Sequence, residues 1–100
     1  MAEQADQRVL GGVDTHKDLH VAAVINGLGQ LVGVASCSTT TRGYRQLLAW
    51  VRSHGALEVV GVEGTGSWGA GLARYLIASA VDVIEVNRPN RQRRRLNGKS

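Results

Sequence analysis

The stretch Val9-Leu10-Gly11-Gly12-Val13-Asp14-Thr15-His16-Lys17-Asp18 constrains the fold of this chain more than any other. Val9 to Val13 is short, apolar and glycine-bearing, which reads as a buried strand. It runs straight into an acid, Asp14, and then into a polar turn. A carboxylate at the end of a buried strand is costly unless a charged group answers it. A hard divalent cation is one such answer, because it takes carboxylate oxygens. The chain repeats the arrangement once. Glu58-Val59-Val60-Gly61-Val62-Glu63 is a second strand ending in an acid, followed by Gly64-Thr65-Gly66-Ser67. Two strands that each deliver one carboxylate to the same sheet edge make half of a metal site.

The rest of the pattern says how those strands meet. Arg8 to Asp14 reads as the first strand. Leu19 to Asn26 alternates, with Leu19, Val21, Ala23 and Ile25 on one face and His20, Ala22, Val24 and Asn26 on the other. If the first set faces the core, His20 lies on the opposite face. Asn26 to Gly29 is short enough for a hairpin turn, and Gln30 to Cys37 is the return strand. The period then changes. Tyr44, Leu47, Leu48 and Val51 form one helical stripe, with Thr41 placed to cap it and Gly55 to end it. Glu58 to Glu63 looks buried on both faces, as a central strand in parallel pairing is. Ser67 is placed to cap a second helix whose inner face is Trp68, Leu72, Tyr75, Leu76 and Ser79. Asp82 to Val86 is a fifth short strand, stopped by Pro89. A right-handed crossover carries the fourth strand back beside the first. Asp14 and Glu63 then share one sheet edge, with their carboxylates expected within about 6 Å of each other if they hold one cation.

At 100 residues the chain is one domain, and a 43% hydrophobic content without Phe leaves the packing to Val, Leu and Ala. Cys37 is the sole cysteine, so no internal disulfide forms. It is expected as a buried strand residue, and its isolation fits a reducing, cytoplasmic setting. Met1 to Gln7 is not a signal peptide and is expected to be disordered. Leu19 to Thr41 lacks Asp, Glu, Lys and Arg, yet His20, Asn26, Gln30 and a Ser/Thr run interrupt it, so no membrane span is expected.

Charge divides the chain. Six of the twelve Lys and Arg are Arg88, Arg91, Arg93, Arg94, Arg95 and Lys99, in a tail without acids. All eight acids lie before it. A mildly acidic body with a basic tail suits a polyanion such as nucleic acid. Arginine offers phosphate bidentate contacts, which set affinity and not sequence choice; the other reading of the run is a merely solvated tail. Three further features have two readings each. Asp14, His16, Asp18 and His20 alternate, as a transition-metal cluster or, more simply, as a polar turn. Lys17 is a solvated turn residue or a phosphate contact. Gly64-Thr65-Gly66-Ser67 is a tight turn or a phosphate-facing loop, but it is not a Walker A motif.

Three motifs in order narrow the function. Gly12-Val13-Asp14-Thr15-His16-Lys17, Val62-Glu63-Gly64-Thr65-Gly66-Ser67-Trp68-Gly69, and Glu85-Val86-Asn87-Arg88-Pro89 with the arginine run and Gly98-Lys99-Ser100 resemble the DEDD-type insertion-sequence transposases. Their catalytic domain is similar to the RuvC resolvase. The resemblance covers nearly all of residues 8–100. It implies an α/β, ribonuclease H-like fold: three antiparallel strands, then helix, strand, helix, strand, in a five-stranded mixed sheet. It implies DNA as substrate, magnesium or manganese as cofactor, a guide RNA partner and a homo-oligomer in the intact protein. Of the family's four metal-binding acids, the first matches Asp14 and the second Glu63. The other two follow a Gly-Lys-Ser like Gly98-Lys99-Ser100, where this sequence stops. Residues 8–87 are thus expected as a C-terminally truncated catalytic domain and 88–100 as a basic tail leading into its remainder. The chain alone is expected to bind the cation weakly and to lack activity. The alternatives are a non-catalytic nucleic-acid-binding remnant and a sugar-kinase or actin-like ATP-binding lobe. The last needs a glycine-rich turn where Thr15-His16-Lys17 stands.

Overall fold

The computed structural model describes residues 7–87. Strand β1 (Arg8–Thr15), β2 (Leu19–Asn26) and β3 (Leu31–Ser38) form a meander. Helix α1 (Thr41–Arg52), β4 (Ala56–Glu63), α2 (Ala70–Ala78) and β5 (Val83–Val86) follow. The sheet order is β3-β2-β1-β4-β5. The β1/β2 and β2/β3 pairs are antiparallel, and β1/β4 and β4/β5 are parallel. This is an α/β arrangement whose strand order fits the ribonuclease H-like fold. The two crossovers through α1 and α2 make β4 a central strand with parallel neighbours on both sides, which is why its sequence reads as almost continuously apolar.

Both helices pack on one face of the sheet. On α1 the stripe Tyr44, Leu47, Leu48 and Val51 is buried, and on α2 Leu72, Ala73 and Leu76. They meet Val9 and Val13 of β1, Ala22 and Val24 of β2, and Val60 and Val62 of β4. A methyl added at Gly11 would touch Val60 and Val51, so Gly11 faces the helices too. Alternation then puts Leu10, Gly12 and Asp14 on the other face, with Gly61 and Glu63 of β4. That face has no helical layer among the described residues. Leu19, Val34, Ile84 and Val86 all stand exposed on it.

Several local expectations are corrected. The buried side of β2 is His20, Ala22 and Val24, and Leu19 is exposed. His20 is fully buried because α1 lies over it, with its ring parallel to that of Tyr44 at 6.0 Å between centroids. The N-cap of α1 is Thr40 and not Thr41: Thr40 is extended, and its Oγ1 accepts from the Gly43 amide at 3.0 Å. Gly55 does not end α1, whose C-cap is Ser53. Gly55 has φ 153°, and a side chain there would strike the Gln7 carbonyl. Its absence lets that carbonyl accept from the Ala56 amide at 2.9 Å and start the β1/β4 pairing. Ser67 does not cap α2; the cap residue is Gly69, without a side-chain bond. Trp68 precedes α2 and is 55% exposed, so it is not part of the inner face. The hairpin turn is as expected. Asn26 Oδ1 accepts from the Leu28 and Gln30 amides, and Gly29 takes φ 79°. Cys37 is buried on β3, where burial pushes its thiol pKa up. Of the expectation for residues 1–7, only Gln7 falls within the described residues.

The burial of His20 has a consequence for pH. The His16 amide donates to its Nδ1 at 3.3 Å, which leaves the proton of the neutral ring on Nε2. Nε2 is buried and has no hydrogen-bond partner among the described residues. Burial holds the His20 pKa below its ordinary value of 6.5, outweighing the Leu19 backbone contact that raises it. Below pH 6.5 the unfolded chain therefore takes up a proton that the folded chain does not. Stability is full above that pH and falls as the pH drops toward the folded-state pKa, by up to about 1.4 kcal/mol per pH unit. Denaturant unfolding of the wild type and His20→Leu between pH 7.5 and 5 checks this. The variant should lack that part of the slope; an equal slope in both would place its origin elsewhere.

Candidate functional site

The register of β1 and β4 assembles the site. Val13 pairs with Val62 in parallel, so Asp14 and Glu63 are the next residues along each strand. Adjacent strands lie about 4.8 Å apart, and both residues point to the face away from the helices. The carboxylate-bearing residues are thus lateral neighbours at the carboxyl ends of two central strands. Together they line a cleft of about 340 Å³ with Gly12, Gly61, Val21, Ala23 and Val86.

The end of β4 is held in place from both sides. The Thr15 hydroxyl donates to the Glu63 carbonyl at 3.0 Å, tying the tip of β1 to the tip of β4. Gly64 then turns with φ 60°, and its carbonyl accepts from the Ser67 and Gly69 amides, each at 2.8 Å. Gly64-Thr65-Gly66-Ser67 is therefore a tight turn folded back on itself. A side chain at Gly69 would collide with the Glu63 carbonyl, so the turn passes close under the acid. Asp14 has a partner on its own strand end. His16 Nε2 lies 3.2 Å from Asp14 Oδ2. Both side chains are about half exposed, so water screens the pair and its contribution to stability is small.

Of the alternating set Asp14, His16, Asp18 and His20, the first two meet at the sheet edge. His20 points into the helical layer, which rules out one cluster of all four. Among the described residues, no group of three or more His, Cys, Asp and Glu side chains is arranged to hold a metal ion. Arg88, Arg91, Arg93, Arg94, Arg95 and Lys99 lie outside the described residues. No helix of the described residues is long and apolar enough to cross a membrane.

Sequence reasoning missed the floor of the cleft. Gly12 and Gly61 each stand two residues before an acid, and the period of a strand puts each glycine on the same face as its acid. They pair across β1 and β4. Around Gly12 there is open space, whereas a methyl at Gly61 would press on Val86. The signal was the repeated Gly-Val-acid, present in Gly12-Val13-Asp14 and in Gly61-Val62-Glu63.

Comparison with known proteins bears on the fold and on the family. Among solved structures, the ethanolamine utilization protein EutJ from Carboxydothermus hydrogenoformans is similar, with a TM-score of 0.51 and 13% identity. The likeness covers 79% of this chain and 36% of that one, so this chain spans about a third of that structure's length. At that identity the likeness concerns the fold alone. No curated protein matches. Residues 11–100, which include the paired acids and the basic tail, match the IS110-type DEDD family, described as transposase, and the chain belongs to that family.

Proposed function

We infer that this chain supplies Asp14 and Glu63 as metal ligands for cleavage and transfer of DNA strands by a transposase. The observation that supports this most is the placement of two carboxylate residues side by side on a glycine-floored cleft at the carboxyl edge of the central strands. The donor set fits magnesium or manganese: hard oxygens, few in number, as suits an ion that keeps several waters and also binds substrate phosphates. When bound, such an ion activates an oxygen nucleophile and neutralises charge on the phosphate. The chain's own part is positioning. Thr15 and the Gly64 turn fix the tip of β4, His16 orients the Asp14 carboxylate, and Gly12 leaves room for a sugar-phosphate strand beside Val86, which sits over Gly61. DNA is the proposed substrate, with a guide RNA and further copies of the protein as partners in the cytoplasm. The lack of a third ligand beside the pair among the described residues favours a second reading, in which the chain binds nucleic acid without cutting it.

Four measurements test these readings. Neighbouring carboxylates repel one another, and the exposed His16 contact offsets this by little. Asp14→Asn is therefore expected to change unfolding free energy by less than about 1 kcal/mol; a loss above about 3 kcal/mol would make Asp14 a structural acid. Manganese should broaden the backbone amide resonances around Gly12–His16 and Gly61–Thr65 weakly, and Glu63→Gln should remove the effect. Broadening that persists in the variant would sink the metal site, and metal-dependent DNA cleavage by the wild-type chain, lost in Glu63→Gln, would overturn the non-catalytic reading. Arg93, Arg94 and Arg95 replaced together by alanine should flatten the log–log salt dependence of duplex binding by about 2 to 3 units, because each phosphate contact contributes about 0.9. An unchanged slope would leave the run as a solvated tail.

A further inference from the structure

The helical layer carries a second feature that the paired acids do not use. Between α1 and α2 lies a cleft of about 530 Å³, lined by Thr39, Thr40, Thr41, Tyr44, Gly71, Arg74 and Tyr75. It opens at the same sheet edge as Asp14 and Glu63. Thr39 follows the last residue of β3, which pairs with the first residue of β2, and α2 begins just after the β4 turn. The cleft is therefore around the corner from the acid pair, on the opposite side of the sheet.

Its lining holds one charged side chain, Arg74, and no carboxylate. No Asp or Glu occurs from Leu19 to Leu57 or from Gly64 to Val81, while Arg42, Arg45, Arg52 and Arg74 all do. All four arginines are exposed. None is paired with a carboxylate among the described residues, where the ion pairs are Arg8 with Glu58 and His16 with Asp14. Neither helix has an acid in its first turn. The first-turn amides of α1 have no intrahelical acceptor, and Thr40 Oγ1 satisfies that of Gly43. Thr39, Thr40, Thr41 and Arg74 thus line the cleft beside the N-terminus of α1, where the Thr40 hydroxyl already bonds the Gly43 amide and Ser38 Oγ. These groups donate to oxyanions, and guanidinium is the one suited to bidentate contact with phosphate. The walls are rigid: the Tyr44 ring stacks on buried His20 and meets the Tyr75 ring at 6.0 Å. Gly71 leaves room for the Tyr44 hydroxyl, which a methyl there would approach to 3.0 Å.

We propose that this cleft, with Arg74 in its lining and Arg42 exposed next to Thr41 on α1, forms a second nucleic-acid surface, which grips backbone phosphates independently of both the basic tail and the acid pair. It rests on the nucleic-acid reading above and extends it to a different face. The full chain, with Arg93, Arg94 and Arg95 already replaced by alanine, is titrated with a DNA duplex in EDTA over a salt series. Arg42→Gln and Arg74→Gln together should flatten the remaining slope by about 2 units. Amide resonances of Thr39–Tyr44 and Gly71–Tyr75 should move on adding duplex and stay in place in the double variant. Inorganic phosphate should reproduce those shifts only at far higher concentration. Shifts confined to other regions, or an unchanged slope, would overturn the proposal. So would inorganic phosphate acting as well as duplex, since that marks a free-anion site. Both variants lie on exposed positions, and unchanged thermal unfolding shows that they fold. Because EDTA removes divalent cations, failure of the metal site leaves this result untouched, and failure here leaves the manganese result untouched.

Discussion

The parallel pairing of β1 with β4 is the constraint on which everything else depends. It is non-local, joining residues about fifty positions apart, so it forms only after α1 has closed the crossover. The chain supports it in several places. Gln7 accepts from Ala56 across the Gly55 bend, Val9 and Val13 pack with Val60 and Val62 under the helices, and Thr15 donates to Glu63 at the far end. Packing, turn chemistry and a side-chain bond all hold the same register. A slip of one residue would send Glu63 to the helical face and Val62 to the open one. That exchange would bury a carboxylate beneath apolar helices, so the hydrophobic core itself enforces the placement of the acid pair.

Much of this was legible because it rests on period. The five strands, both helices and the meeting of Asp14 with Glu63 follow from alternation, from the helical stripe of α1 and from the handedness of crossovers. What was not legible depended on which of two similar faces would be covered. β2 offers Leu19, Val21, Ala23 and Ile25 on one side and His20, Ala22 and Val24 on the other, and apolarity favours the first. The structure buries the second, because β1 sets the face: Gly11 is small enough to admit Val60 and Val51 against the sheet. The caps shifted for similar reasons. Thr40, Thr41 and Ser67 carry equivalent hydroxyls, and backbone geometry chose Thr40 for α1 and none of them for α2. Helical spacing puts Trp68 on the inner face of α2, but the helix begins only at Ala70.

Burying His20 is the least comfortable choice in the core. An unpaired buried donor costs about 1–3 kcal/mol, and a leucine at that position would avoid it. What His20 supplies in return is an acceptor for the His16 amide, in the turn that immediately follows Asp14. The turn between β1 and β2 is short, and its other internal bond is the same amide to the Leu19 carbonyl. His16 is the residue whose ring meets Asp14. The buried histidine thus anchors, from beneath the sheet, the backbone of the residue that orients the acid above it.

The sheet also separates charges that would otherwise cancel. Asp14 and Glu63 stand on the open face, while the helical face between Leu19 and Leu57 and between Gly64 and Val81 bears only arginines. A phosphate strand approaching the open face meets two carboxylates and is repelled unless a cation lies between them. One approaching the helices meets their arginines, and Glu85 of β5 is an acid on that side of the sheet. In the proposed reading this asymmetry has a kinetic meaning, because electrostatic steering acts over about a Debye length, near 8–10 Å at physiological salt. The sheet edge, shared by both faces, is about as thick as that distance, given that packed layers sit roughly 10 Å apart. A strand held by arginines on one side of the edge is therefore within reach of the acids on the other.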